Sequence, residues 1–242
     1  MWHRICEVAR GSPVILNPGA SMRQFLLVSA VALAASLSAA SGAQATPMLG
    51  LTVQSGGESS FQSKALDSTG GSYNFAPISV GNFTANNIGS QLFSPDYIDL
   101  TTFDLSSNAG GTLVITLTGT GFTTPRGASS WLTQFTGNVA NGTADVSAKS
   151  YLDNSNTLNN PGCAAGCTLL SSVNLGSSAT ASTVIDGSFA LTEVITITTT
   201  GNTRLSLDAS VSNVPEPMSL ALLGTGLAGI GLTRRRAVRN AT

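Results

Sequence analysis

The stretch 191-LTEVITITTTGNTRLSLDASVS-212 alternates apolar and polar side chains in two runs, which are separated by Gly201-Asn202. In the first run, Ile195 and Ile197 alternate with threonines, and the second run alternates leucine, alanine and valine with serine and aspartate. A period of two places alternate side chains on opposite faces of a strand. Glycine and asparagine also tolerate the positive φ of a tight turn. The pattern predicts a β-hairpin with one apolar face.

Similar short segments recur throughout residues 46–213, which are rich in Ser, Thr, Gly and Asn and contain no helical apolar stripe of useful length. Many short strands between such polar clusters indicate an all-β domain, an antiparallel β-sandwich or jelly-roll-like ectodomain. No repeat of fixed period is found, which disfavours a β-helix or propeller. Beside the hairpin and the alternating segment 111–122, we predict strands at Leu51–Ser55, Ser72–Phe75, Ile78–Thr84, Tyr97–Leu105, Ser130–Val139, Ala144–Leu152, Leu169–Leu175 and Val184–Ala190.

The N-terminal segment 22–45 has the three parts of a secretory signal peptide. A short basic region is followed by a largely apolar stretch of 13 residues, Phe25 to Leu37, and then by Ala43-Gln44-Ala45, a small-x-small cleavage site. We therefore expect the mature chain to start at Thr46. Residues 1–21 contain two prolines and no periodicity, and we interpret them as a mis-assigned N-terminal extension. The only histidine, His3, lies in this extension.

The C-terminal segment 214–242 begins with Val214-Pro215-Glu216-Pro217. Proline disfavours both a central strand and a preceding helix, so these residues mark the end of the β domain. The uncharged run from Met218 to Leu232 follows, and we predict that it forms a single transmembrane helix, short but able to span a locally thinned bilayer. The basic residues after it should stay cytoplasmic, which leaves the β domain outside. They are Arg234, Arg235, Arg236 and Arg239.

These three parts, in this order, resemble the PEP-CTERM sorting signal of exported proteins in Gram-negative bacteria. The resemblance implies recognition by an exosortase, a membrane transpeptidase-like enzyme, near Pro215-Glu216-Pro217. It also implies export across the inner membrane, anchoring by the tail, and then a place at the cell surface or outside the cell. Bacteria that carry such proteins produce exopolysaccharide and form biofilms or flocs, so exopolysaccharide is an expected partner. The resemblance does not extend to residues 46–213.

Two cysteines, Cys163 and Cys167, remain after the signal peptide, in the loop 159-NNPGCAAGC-167. An exported protein meets an oxidising compartment, so we predict a local disulfide between them. A zinc site would need further cysteine or histidine ligands, which the domain lacks, and we expect no metal and no cofactor.

Charge and motifs limit the activities that the domain could have. Residues 46–213 contain four basic and ten acidic residues, which disfavours a nucleic-acid partner. The absence of histidine excludes a Ser-His-Asp or Cys-His site, and no nucleophile elbow or phosphate loop occurs. We therefore expect a non-enzymatic surface or matrix protein. A secreted glycosidase stays as a less favoured alternative, with candidate carboxylates at Glu58, Asp153 and Glu193, of which Glu193 is expected to face solvent.

Three binding alternatives remain open at this point. Asp96, Asp99 and Asp104 could supply calcium ligands, although solvated strand-edge carboxylates are the favoured interpretation. A sugar-stacking platform could be built from aromatic residues, although such residues more often fill a core. Threonine rows could order water, as on ice-binding faces, although threonine also simply suits strands. The aromatic residues are Trp131, Phe135 and Tyr151, and the threonine rows are Thr116, Thr118, Thr120 and Thr196, Thr198, Thr200.

Overall fold

The computed structural model describes residues 46–93, 96–158 and 166–214, which contain thirteen β-strands and no helix. The strands are β1 (Met48–Ser55), β2 (Glu58–Ala65), β3 (Gly70–Phe75), β4 (Ile78–Val80), β5 (Phe83–Phe93), β6 (Tyr97–Ser107), β7 (Gly111–Phe122), β8 (Gly127–Asn141), β9 (Ala144–Asp153), β10 (Cys167–Asn174), β11 (Ser177–Ile185), β12 (Phe189–Thr199) and β13 (Thr203–Val214).

The strands form two antiparallel sheets. The six-stranded sheet has the order β10-β9-β12-β7-β1-β2, and the seven-stranded sheet has the order β11-β8-β13-β6-β5-β3, with β4 paired to β5. Apolar side chains from the inner faces of both sheets form one core, as expected when two half-buried sheets pack together. The prediction of an all-β antiparallel sandwich is confirmed. The predicted transmembrane helix from Met218 to Leu232 lies outside the described residues.

The predicted hairpin at 191–212 is wrong. Both of its strands exist, but β12 lies in the six-stranded sheet and β13 lies in the seven-stranded sheet. Each strand already has two neighbours, β7 and β9 for β12, and β6 and β8 for β13, so neither has a free edge for the other. Residues 200–202 therefore cross between the sheets, and the two apolar rows face each other across the core.

Two other predicted strands are interrupted by turns. The segment Ile78–Thr84 is broken at Gly81-Asn82, where Gly81 has a φ of 58°, and its two parts belong to β4 and β5. The segment Val184–Ala190 is broken at 186–188 and contributes to β11 and β12. The strand β2 was not predicted, because its sequence ESSFQSKA has almost no apolar side chains and its residues are mostly exposed or half-buried. The remaining predicted strands are present, with shifted ends.

Side chains of β2, an edge strand of the six-stranded sheet, bind the seven-stranded sheet. The Gln62 amide donates from Nε2 to the Ala76 carbonyl at 3.1 Å and accepts from the Ala76 N–H at 3.0 Å. Glu58 Oε2 accepts from the Gly81 N–H at 2.8 Å. Exposed edge strands invite pairing with other chains, and these contacts connect the edge to the opposite sheet.

We expect Gln62→Ala to lower the free energy of unfolding by about 1 to 2 kcal/mol, because two hydrogen bonds to Ala76 are lost together. Urea unfolding measures the difference. The matched control is Gln134→Ala on β8, because the exposed Gln134 side chain has no hydrogen-bond partner among the described residues. Equal midpoints for the two variants would show that the Gln62 contacts add nothing to stability.

Candidate functional site

The C-terminal tail leaves the sandwich at the end of β13, which we call the exit end. Asn213 is held there twice, because its N–H donates to the Asp96 carbonyl at 2.9 Å and its Nδ2 donates to the Ser130 carbonyl at 3.1 Å. Val214 pairs with Ser130 of β8 as the last residue of the strand. Strand β13 can end here because Pro215 has no N–H to donate to a neighbouring strand.

The domain also begins at the exit end. Met48, the first residue of β1, pairs with Thr120 near the end of β7, and β7 ends where β12 begins. The opposite end of the sandwich, the distal end, carries the turns at 56–57, 81–82, 108–110, 142–143, 175–176 and 200–202. The two chain ends of the domain therefore leave one end of the sandwich, and the other end carries only turns.

Most of the residues predicted for sorting and cleavage lie outside the described residues. Those residues are Ala43, Ala45, Pro215, Glu216, Pro217, Met218, Leu232, Arg234, Arg235 and Arg236. Thr46, the predicted first residue of the mature chain, is exposed. Cys167 is disulfide-bonded, while its predicted partner, Cys163, also lies outside the described residues. Within residues 46–93, 96–158 and 166–214, no helix is long and apolar enough to cross a bilayer.

The aromatic side chains proposed for sugar stacking do not form a surface platform. Trp131 is 1% exposed and Phe135 is fully buried, because both lie on the inner face of β8. The Trp131 and Phe189 rings make an edge contact with centroids 5.7 Å apart. Tyr151 is half-buried and lies on β9, in the other sheet. The platform is ruled out, and two of its three members fill the core.

The three aspartates considered for calcium do not converge. Asp99 Oδ2 accepts from the Tyr97 hydroxyl at 2.6 Å, and Asp104 Oδ2 accepts from Asn87 Nδ2 at 3.4 Å. Asp96 lies in the turn before β6. In the described part of the chain, no three acidic, cysteine or histidine side chains are placed to hold a metal ion.

The two threonine rows differ in exposure, because Thr196 of the second row is half-buried and Thr198 and Thr200 are exposed, whereas the first row is buried. The first row, Thr116, Thr118 and Thr120, is 6% exposed or less at every position. Thr118 Oγ1 and Thr192 Oγ1 also hydrogen-bond each other at 3.1 Å. A water-ordering face needs a flat, exposed row, and this row does not provide one.

The three carboxylates considered for glycoside hydrolysis lie in different parts of the sandwich. Glu58 is at the distal end, where it binds the Gly81 N–H. Asp153 is at the exit end, where its Oδ1 accepts from the N–H and hydroxyl of Ser155 at 2.7 and 2.6 Å. Glu193 lies inside the core. Hydrolysis needs two carboxyl groups on either side of one glycosidic bond, and no pair among these three provides them.

Glu193 is the main correction to the predicted site, because it is 2% exposed rather than facing solvent. It lies on the inner face of β12, directly beside Leu117 of β7 and Ser150 of β9. Neither of its carboxyl oxygens has a hydrogen-bond partner in the described structure. Burial raises the pKa of Glu193 well above its ordinary value of 4.5, and the charges of Asp99 and Asp208 raise it further. Glu193 is therefore a buried carboxyl group that favours its neutral form.

A chain of hydroxyl groups crosses the core beside Glu193. Thr133 Oγ1 of β8 and Ser150 Oγ of β9 are 2.6 Å apart and join the two sheets. Ser150 Oγ is also 2.9 Å from Ser171 Oγ of β10. Because buried polar groups are costly unless they are paired, these bonds satisfy the hydroxyl of Ser150, the neighbour of Glu193 on β9, whereas the Glu193 carboxyl group stays unpaired in the described structure.

The outer face of the seven-stranded sheet carries a polar depression near the distal end, which we call the distal groove. Its main cavity is about 410 Å³, and a second cavity of about 210 Å³ shares Ser106 and Arg204 with it. Strands β5, β6, β8 and β13 form its floor. The distal groove is defined by Asn86, Asp104, Ser106, Asn138, Arg204 and Ser206.

Residues 213–236 match the family model described as the PEP-CTERM protein-sorting motif. The chain carries a PEP-CTERM sorting motif. The resemblance read from the sequence is confirmed at the same place. The PEP-CTERM motif supports an exported surface protein that associates with the membrane and is sorted by exosortase, as in Gram-negative bacteria. It starts on β13 at Asn213, the residue held by Asp96 and Ser130.

Other comparisons add little about the sandwich. The sequence matches no curated protein. A chain in the structure of infectious bursal disease virus Gx strain is similar at 12% identity over 69% of this chain and 55% of that chain, with a TM-score of 0.28. This chain thus spans just over half the length of that one, and the low score carries no argument.

The distal groove and the first residue of the PEP-CTERM motif, Asn213, lie at opposite ends of β13. Arg204 and Val214 are ten positions apart in this strand, or roughly 33 Å at 3.3 Å per residue. Sequence analysis did not identify the groove, because its polar residues come from four separate strands and form no linear motif.

The burial of Glu193, in contrast, could have been predicted from its position. Glu193 is two residues before Ile195 and four before Ile197, so it lies on the same apolar face of the strand.

Proposed function

We propose that this protein is a non-enzymatic cell-surface or extracellular-matrix protein of an exopolysaccharide-producing bacterium. It is exported by its signal peptide, held in the membrane by its tail, and sorted by exosortase at Pro215-Glu216-Pro217. The sandwich is then displayed outside the cell. The matched sorting motif carries this proposal, since it continues directly from the last strand of the domain.

The position of the two chain ends supports the proposed display of the sandwich outside the cell. Both chain ends of the domain lie at the exit end, so an anchor attached after Val214 leaves the distal end free to face the surroundings. The hydrogen bonds of Asn213 hold the end of β13 at the first residue of the matched motif. This supports processing close to the folded domain, because Pro215-Glu216-Pro217 follows Val214 directly in the sequence.

The arrangement of acidic groups supports a binding or structural role over an enzyme. The chain has no histidine after position 3, and Glu58, Asp153 and Glu193 lie apart. A secreted glycosidase built on these residues is therefore not proposed.

Replacement of Glu216 by glutamine is expected to block processing of the tail, because exosortase is proposed to recognise this triplet. The measurement is the size of an epitope-tagged chain in cells that contain exosortase. Wild type should give the shortened form, and Glu216→Gln should accumulate at full length. The control is Asp186→Asn, an exposed carboxylate in the loop between β11 and β12. Wild-type processing of Glu216→Gln would refute the role of this residue.

A further inference from the structure

The distal groove contains three polar side chains that make no hydrogen bond with any described residue. Asn86, Asn138 and Arg204 are exposed, and none of their side chains hydrogen-bonds a described residue. On β6, Asp104 lies opposite Ser206 of β13 and Ser106 lies opposite Arg204, and the buried pair Leu105–Leu205 lies between these two pairs. Two amides, a guanidinium group, a carboxylate and two hydroxyls therefore line one depression.

The chemistry of this lining selects a class of ligand. Leu105 and Leu205 are the largest apolar residues of the main cavity, and both are buried, so neither leucine side chain is exposed there for a lipid chain to pack against. Arg204 is the single cation of both cavities, whereas nucleic-acid sites need a basic patch. The groove lies on a sheet face where the four strands already pair with each other, so an added peptide strand has no free edge to join.

A polyhydroxylated ligand suits the groove. Side-chain amides and carboxylates both accept hydrogen bonds from hydroxyl groups, and the amides also donate. A guanidinium group binds a carboxylate through two parallel hydrogen bonds, and Arg204 has no ion-pair partner among the described residues. The main cavity, at about 410 Å³, is within the usual range for small-molecule sites.

We propose that the distal groove binds a uronate-containing saccharide chain. Arg204 holds the sugar carboxylate, while Asn86, Asp104 and Asn138 bind sugar hydroxyls. The assignment gives the proposed matrix role a specific partner class and rests on that role for its biological setting. It differs from the aromatic platform considered above, because it uses no aromatic side chain and lies on the outer face of the other sheet from Tyr151.

The test is binding of the full-length protein, solubilised in detergent, to alginate oligosaccharides, with dextran oligosaccharides as the neutral comparison. We expect alginate to bind and Arg204→Gln to weaken it roughly tenfold or more, as expected for loss of a charge-assisted bidentate contact. Asn138→Ala should also weaken binding. The matched control is Arg126→Gln, since Arg126 is exposed at the exit end and bonds the Thr123 carbonyl.

Any of three results would overturn the proposal. The first is no alginate binding by the wild type at millimolar concentration. The second is equal affinity of Arg204→Gln and wild type, and the third is equal binding of alginate and dextran; each of these two would exclude the carboxylate contact. Circular dichroism of each variant checks that its fold is intact. Tail processing is a separate measurement, so a failure of saccharide binding and a failure of the sorting proposal are told apart.

Discussion

Glu193→Gln is expected to stabilise the protein at and above neutral pH and to remove much of the fall in stability as pH rises. Glutamine has nearly the same shape as a protonated glutamic acid and carries no charge at any pH. In the wild type, the buried carboxyl group either keeps its proton or places an unpaired charge in the core, which is costly. Glutamine cannot ionise, so the variant never has this charge in the core.

The sign of the pH effect follows from proton linkage. The folded-state pKa of Glu193 is raised above its ordinary value of 4.5, so the folded protein binds this proton more tightly than the unfolded chain does. Stability is therefore greatest below about pH 4.5 for this group, and it falls as pH rises towards the folded-state pKa. The slope in that window is about 1.4 kcal/mol per pH unit for one group.

The charges that act on Glu193 shift its pKa in the same direction as burial does. From the seven-stranded sheet, the charges of Asp99 and Asp208 raise the pKa of Glu193, while its neighbours on β7 and β9, Leu117 and Ser150, carry no charge. Burial also raises the pKa of Asp99, a shift that Asp208 adds to and the hydrogen bond from Tyr97 opposes. Burial raises the pKa of Asp208 as well. Part of the slope should therefore remain in the variant.

Urea unfolding at several pH values between about pH 5 and about pH 8 measures this slope. We expect the Glu193→Gln curve to be flatter than the wild-type curve and to lie above it at the alkaline end. Asp145→Asn, a carboxylate-to-amide change on the exposed face of β9, should leave the wild-type slope unchanged. Parallel curves for wild type and Glu193→Gln would show that Glu193 is not the buried acid described here.

The class of fold could be predicted from sequence, but the partners of individual strands could not. The alternating rows of 191–212 correctly predicted two strands with an apolar face. The same alternation is compatible with two arrangements. In a hairpin, the apolar side chains of both strands lie on one face of one sheet, whereas in a crossing between sheets they face each other across the core. The choice depends on β6, β7, β8 and β9, which occupy both sides of the two strands and come from earlier in the chain.

The sorting motif could be predicted from the sequence, whereas the distal groove could not. The sorting motif is a linear pattern of proline, apolar and arginine residues, so it could be recognised without any tertiary structure. The groove depends on register, including the irregularity at Asn86 of β5, between Ala85 and Asn87, and the one at Ala140 of β8, opposite Arg204 and Leu205 of β13. Such shifts decide which polar residues meet, and alternation alone does not reveal them.

Trp131→Ala is expected to lower the free energy of unfolding by about 3 to 5 kcal/mol, the usual cost of deleting a large buried aromatic side chain. The ring is 1% exposed and packs edge-on against Phe189, which in turn stacks on Phe122 with centroids 5.3 Å apart. Its removal leaves a cavity at the exit end of the core. A loss of this size is a large part of the 5–15 kcal/mol by which domains are usually stable.

Trp131→Phe separates packing from the polar part of the indole. The Nε1–H group is buried without a partner in the described structure, and an unsatisfied donor costs about 1 to 3 kcal/mol. Phenylalanine keeps most of the ring and removes this donor, so its loss of packing should be largely offset. Trp131 is the only tryptophan after position 2, so far-ultraviolet circular dichroism must report unfolding. An unfolding midpoint of Trp131→Ala equal to that of the wild type would contradict the burial of this residue in the core. Strong destabilisation by alanine and little by phenylalanine would agree with a buried aromatic side chain that contacts no sugar.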